Sequence, residues 1–290
     1  MVGKKTRRNQ TQALSLIVLA LLAFIFAYPF WQTLVLSFSD KAFANSPGFK
    51  FWPRTITLDA YRQVFSTDTI FVGYKNTIIR TVIGTVLTVS ITFCAAFAIS
   101  HQELPGRKFI NFLVVFTMFF SGGIVPAYMN IKNLGLLNTR WVLILPLVAS
   151  AWNFIILRNF ITALGRDLEE AACIDGASPT MTMIRIIAPL TKSALSVIAL
   201  WSVVNHWNAW YDSMVYANKK DLVVLQTVVR RLIDEGEETA AAGEAMTAAN
   251  TATESVRAAT VMIATAPILL GYPFIQKYLV KGTMIGALKG

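Results

Sequence analysis

Charge is what this sequence has least of. Asp, Glu, Lys and Arg make up 14% of its 290 residues, where a soluble domain carries about 25%. Most of the surface must therefore face something other than water. Cysteine and histidine are scarce too, two of each. Cys94 falls within an apolar run and Cys173 within a polar loop, so the pair offers neither a disulfide framework nor a metal site. His101 and His206 join no serine and carboxylate in a hydrolytic set, and His101 reads as a solvated loop residue. No glycine-rich loop ending in Gly-Lys-Ser/Thr is present. The nearest stretch, 282–289, has the wrong spacing and lacks the hydroxyl that would ligate Mg²⁺. The chain reads as a non-enzyme that cannot hydrolyse ATP alone and holds no cofactor or metal of its own. Its formal charge of +10 is dispersed along loops without aromatic interleaving. That pattern excludes nucleic acid as a partner and leaves anionic lipid headgroups as a sufficient account.

What the sequence has in abundance is apolar length. Hydrophobic residues fill 55% of positions and mean hydropathy is +0.54. Six uncharged runs stand out: 13–38, 81–100, 109–131, 141–157, 193–211 and 258–276. About 20 apolar residues in a helix cross the hydrocarbon layer, and backbone groups in lipid must be satisfied internally. The runs therefore predict an all-α membrane protein with six transmembrane helices, forming a single transmembrane domain over 1–290. The spans are placed at about 13–38, 77–100, 109–131, 141–159, 190–212 and 257–278. Lys4, Lys5, Arg7 and Arg8 precede the first run and Ala42-Phe43-Ala44 resembles a cleavage site. The run is about twice the usual length of a signal-peptide core, so it reads as an uncleaved span.

An even span count puts both termini on one side. The 26 Lys and Arg divide evenly between the two sides. Short loops and the first helix carry the most weight, and there the basic N-terminal tail and Arg107-Lys108 favour cytoplasmic termini. An ion-coupled carrier needs ionisable groups near the membrane midplane. Here Arg80, Arg158, Lys192 and Asp212 are all read at span ends.

The loop at 161–189, between the fourth and fifth runs, reads as two short helices with a hard turn. Asp167 can cap the first, with Glu170 as its reciprocal partner. Asp175-Gly176 supplies the turn, since glycine accepts the left-handed conformation that ends helices. Ser178 caps the second helix, Pro179 suits its first position, and Pro189 breaks it before the next span.

This loop resembles the signature loop of binding-protein-dependent (ABC-type) importers. The pattern is Glu170-Ala171-Ala172, three residues, Gly176, nine residues, Ile186, then Pro189 three positions on. Asp175-Gly176-Ala177 is typical of the carbohydrate-uptake branch, whereas Ala188 departs from the usual Leu. The stretches 120–128 and 134–136 and the tail 272–290 are similar to its poly- and oligosaccharide group. The resemblance implies a permease subunit in the inner membrane of a bacterium, with the loop forming a cytoplasmic coupling helix. Implied partners are a second homologous permease, two ATPase subunits that bind ATP and Mg²⁺, and an external solute-binding protein. Glu170 would anchor the ATPase while Ala171, Ala172 and Gly176 allow close docking. Cargo would be an oligosaccharide or polysaccharide fragment. An acidic one such as alginate is suggested by Lys219, Lys220, Arg230 and Arg231, with amino acids or peptides as the alternative class.

For a substrate path the sequence offers 201–212. Asn205, Asn208 and Asp212 follow helical spacing and would share one face, with Trp207 and Tyr211 on a neighbouring one. Interfacial belting and interhelical packing by the same residue types stand beside that reading. The following segment, 213–257, reads either as an arm toward the solute-binding protein or as a solvated stretch.

Overall fold

The computed structural model describes the backbone of residues 2–241 and 253–287 and the side chains of 12, 14–234 and 253–271. In chain order the helices are α1 (Val2–Ser37), α2 (Lys41–Asn45), α3 (Asp59–Phe65), α4 (Asp68–Ser100), α5 (Arg107–Phe119), α6 (Ile124–Asn133) and α7 (Ala151–Ala163). There follow α8 (Asp167–Ile174), α9 (Pro179–Thr182), α10 (Ala188–Leu190), α11 (Lys192–Asn208), α12 (Tyr211–Tyr216), α13 (Leu225–Ala241) and α14 (Glu254–Ala287). The described residues form no strand, and Ser39 meets Ile56 in a lone antiparallel bridge. The protein is all-α, as its apolar runs predict.

Among the described residues, three stretches are long and apolar enough to cross a membrane unbroken: Leu14–Ser37, Asp68–Ser100 and Glu254–Gly271. Two more are bent pairs, Arg140–Leu147 with Ala151–Ala163 at 49° and Pro179–Leu190 with Lys192–Asn208 at 81°. The remaining run is two helices, α5 and α6. Gly122-Gly123 interrupts it, with Gly123 at φ 83 and ψ −179, where only glycine sits easily. Pro126 then fits the first turn of α6, where a missing N–H costs nothing. The second span begins earlier than its uncharged run, at Asp68, so Arg80 lies well inside a 33-residue helix.

The chain divides into two compact units. In the first, Met1–Asp68 with Val229–Ala266, α1 buries no residue over 14–34, as a lipid-facing helix does, and only its end at Val35 and Ser37 is buried. The loop after it folds back on its own end. Tyr28 packs on Phe49 and Phe51, and Trp31 Nε1 donates to the Phe51 carbonyl at 2.8 Å. Aromatic rings at a span terminus suit the headgroup layer.

In the second unit, Thr69–Val228 with Pro267–Gly290, a core forms where α4, α7 and α11 meet, around Phe93, Phe97, Leu157, Ile187 and Ile198. A smaller cluster joins Val142 and Leu143 to Tyr216, Leu222 and Val224. Within the segment expected at 213–257, residues 213–241 are largely helical. The Ala/Thr-rich part, 242–252, lies outside the described residues.

Candidate functional site

Two features of the second unit hold the candidate functional residues: the loop after α7 and the bend after α11.

The loop is built as two helices with a hard turn. α8 ends in a paired cap: Ala177 N donates to the Ala172 carbonyl at 2.9 Å and Gly176 N to that of Cys173 at 3.0 Å. Gly176 sits at φ 80, the left-handed conformation this motif requires. Ser178 caps α9, its Oγ accepting from Met181 N at 3.3 Å, with Pro179 at the first position. Asp167 does not cap α8. The turn made by Gly165, at φ 81, leaves Arg166 in helical conformation, and the Arg166 carbonyl starts the ladder. Asp167, Glu169 and Glu170 occupy the first turn instead, where they complement the positive end of the helix.

Pro189 also acts differently from expectation. It lacks an N–H and its ring crowds the carbonyl four residues back, so the ladder widens into a π-turn at Met183–Ile187. The helix survives to Leu190, and the 81° bend falls at Thr191, whose Oγ1 donates to the Ile187 carbonyl at 2.8 Å.

Of the motif residues, Glu170, Ala171, Asp175, Gly176 and Pro189 are exposed, Ala172 is buried, and Ile186 is half-buried against the core. Ile174, at the end of α8, is 87% exposed. His101 is not simply solvated: its Nε2 lies 2.8 Å from Glu169 Oε2. Beside it, Arg166 Nη1 meets Glu103 Oε1 at 2.7 Å. A cavity of about 380 Å³ opens among His101, Arg166, Glu169, Glu170, Cys173 and Pro179.

At the second feature, α11 stops at Asn208 and α12 restarts at Tyr211. Asn205, Asn208 and Asp212 therefore do not share a helix face. Asn205 and Asn208 are exposed together, whereas Asp212 is buried and paired with the Arg80 guanidinium. Arg80 Nη1 also donates to the Ala209 carbonyl at 2.8 Å, so one side chain satisfies both edges of the break. Trp207 is buried, edge-on to Tyr74 at 6.4 Å between centroids. Tyr211 is half-buried, edge-on to Trp210 and Tyr216. Burial, with Tyr211 and Asp212 nearby, pushes the Tyr216 phenol up, so it remains a neutral hydroxyl.

Arg80 belongs to a polar row along one face of α4. Asn76 Nδ2 donates to the Asp221 and Val223 carbonyls at 2.7 and 2.9 Å, and Thr77 Oγ1 accepts from Leu225 N at 3.0 Å. One turn beyond Arg80, Gly84 leaves room for the buried His206 ring. The composition of α4 hid this row. Its one legible signal was an arginine at the edge of an uncharged run. Among the described residues, no three His, Cys, Asp and Glu side chains gather where a metal ion could sit.

A family model described as "Binding-protein-dependent transport system inner membrane component" matches residues 66–284. The chain is 39% identical to protein LplC of Bacillus subtilis, over 90% of this chain and 89% of that one. It is 36% identical to the polygalacturonan/rhamnogalacturonan transport system permease protein YtcP of the same organism, over 94% and 96%. Among solved structures it resembles a chain of a bacterial ABC transporter involved in import of the acidic polysaccharide alginate. That match has a TM-score of 0.83 at 29% identity and covers 93% of this chain and 96% of that one.

Proposed function

The chain belongs to the family of binding-protein-dependent transport system inner membrane components, and we propose that it is the permease subunit through which an ATP-driven importer passes an acidic oligosaccharide. Several relatives are named as permeases for sugars or their polymers. Two of them, a polygalacturonan/rhamnogalacturonan permease and an alginate importer, handle uronate polymers. A uronate oligomer is therefore the cargo favoured here over amino acids or peptides.

The observation that carries the mechanism is the exposed face of α8. Glu170 and Ala171 are open, Ile174 is almost wholly so, and the helix is fixed by a paired cap and a capped successor. A rigid, small-residue, part-apolar helix on a loop suits docking into a cleft of an ATPase subunit. Glu170 supplies the polar contact there, Ile174 the apolar one, and Gly176 the close approach. Two ATPase subunits, a second permease and an external solute-binding protein complete the machine. ATP and Mg²⁺ are held by the ATPases, and both termini of this chain are cytoplasmic. Movement of α8 switches packed helices between two arrangements and turns the cavity outward. Asn205 and Asn208 then offer amide hydrogen bonds along the path, while Trp207, Tyr211 and Asp212 shape it.

The test is reconstitution of the full complex in vesicles with a candidate binding protein. Oligogalacturonate or oligoalginate, and not a neutral maltooligosaccharide, is expected to stimulate ATP hydrolysis and accumulate inside. Equal stimulation by the neutral sugar would remove the acidic-cargo reading. Accumulation without the ATPase subunits would remove the ATP-driven one.

A further inference from the structure

Two glycines isolate α8. Gly165 before it and Gly176 after it both lie in the left-handed region, at φ 81 and 80. Between them the helix buries only Ala172. So little packing leaves its position to be set by something other than a core. What the structure supplies is two crossed ion pairs to the short loop that follows α4. His101 reaches Glu169, and Glu103 reaches Arg166. The second pair is at the rim, with Glu103 85% exposed, and such pairs contribute little. The first is more sheltered.

His101 is placed to transmit force. It is the first residue beyond α4, and its Nδ1 lies 2.9 Å from the Phe97 carbonyl. Its ring stands edge-on to the core residue Phe97 at 4.8 Å. Each ring nitrogen thus faces an oxygen, Nδ1 the Phe97 carbonyl and Nε2 the Glu169 carboxylate. Arg107 Nε donates to the Ile99 carbonyl at 2.8 Å, so a cation helps close the negative end of α4. From there α4 runs unbroken back to Arg80, which holds the break between α11 and α12.

We propose that His101 and Glu169 form a strut carrying movement of the coupling helix directly into α4, and through Arg80 to the substrate path. The proposal rests on α8 being the ATPase-docking helix. The two neighbouring acids divide the work. Glu170 faces outward to the partner, and Glu169, about 100° round the helix, faces inward to α4. Without the strut, α8 keeps the exposed Glu103–Arg166 pair and the chain leading to α7 and α11 as its links to the membrane helices. His101 and Glu169 are positioning residues, since neither touches cargo.

The test uses the complete reconstituted complex and reads the ratio of binding-protein-stimulated to basal ATP hydrolysis. His101→Ala and Glu169→Ala are each expected to lower that ratio about tenfold, with the ATPase subunits still co-purifying. The double variant should lose no more than either single, because both remove the same link. His101→Arg, which places a donor facing Glu169, should recover most of the ratio. Unchanged ratios in both singles, or a double loss equal to the product of the single losses, would overturn the strut. Should His101→Ala fail to assemble, Glu169→Ala alone gives the reading, and an unchanged ratio in that variant overturns the proposal. Glu170→Lys in the same preparation separates the two levels. Full coupling in that variant would defeat the docking reading itself, whichever way the strut variants fall.

Discussion

Arg80 and Asp212 form an ion pair whose side chains are 1% and 9% exposed. It joins the middle of a continuous helix to the start of a short one, across the break that follows Asn208. Charges so buried depend on each other and on the Ala209 carbonyl, to which Arg80 donates. Removing one partner leaves the other stranded, at about 3–5 kcal/mol. Arg80→Ala or Asp212→Ala should lower the melting temperature of the detergent-solubilised chain sharply. Arg80→Met combined with Asp212→Leu should recover most of it, because neither charge is then left alone. If the single variants melt like the parent, the pair does not hold the break.

Gly84 is required by the bulk of His206. A Cβ at position 84 would stand 2.4 Å from the His206 ring, which is 1% exposed and has no room to retreat. Gly84→Ala should therefore destabilise the chain by about 1–3 kcal/mol, the usual cost of overpacking. Adding His206→Ala should relieve the clash. Equal stability of Gly84→Ala and the parent in a thermal unfolding series would contradict the packing.

Docking by α8 makes a directional prediction for Ile174 and Glu170. Ile174→Asp and Glu170→Lys should each prevent co-purification of the ATPase subunits and abolish stimulated ATP hydrolysis. Both exposed positions leave the core untouched, so membrane insertion and monomer melting should not change. Gly176→Val should also uncouple, since a β-branched residue is strained at φ 80.

Asn205 and Asn208 differ from Trp207 in what their loss should do. The two amides are exposed and the indole is packed against Tyr74. Asn205→Ala with Asn208→Ala should raise the KM for uptake with little change in melting temperature. Trp207→Ala should lower the melting temperature, as a large core truncation does by about 3–5 kcal/mol. A KM unmoved by the amide pair would take those residues out of the path.

Cys173 reports on orientation. It is free and exposed on α8, while Cys94 is free and exposed within a span. In the chain stripped of its ATPase subunits, a membrane-impermeant maleimide should label Cys173 in inside-out vesicles and spare it in right-side-out ones. Cys94 should stay unlabelled in both, shielded by lipid. Labelling from the outside would reverse the assigned topology.

Composition and local pattern determined a good deal by themselves. Low charge and long uncharged runs made the all-helical membrane class legible, because lipid offers backbone groups no other partner. The Asp175-Gly176 turn and the Ser178-Pro179 cap were legible for a related reason: each is satisfied within a few residues. Tertiary structure decided the rest. Gly165, in fixing the entry to α8, displaced the cap expected at Asp167. Gly122-Gly123 split an apolar run that hydropathy alone reads as one span. The break at Ala209 took Asp212 off the face it seemed to share with Asn205 and turned it toward Arg80, 132 positions earlier. His101 found Glu169, 68 positions later. Periodicity and capping act over a few residues, whereas these pairings arise where distant helices pack, and a single sequence carries no local mark of them.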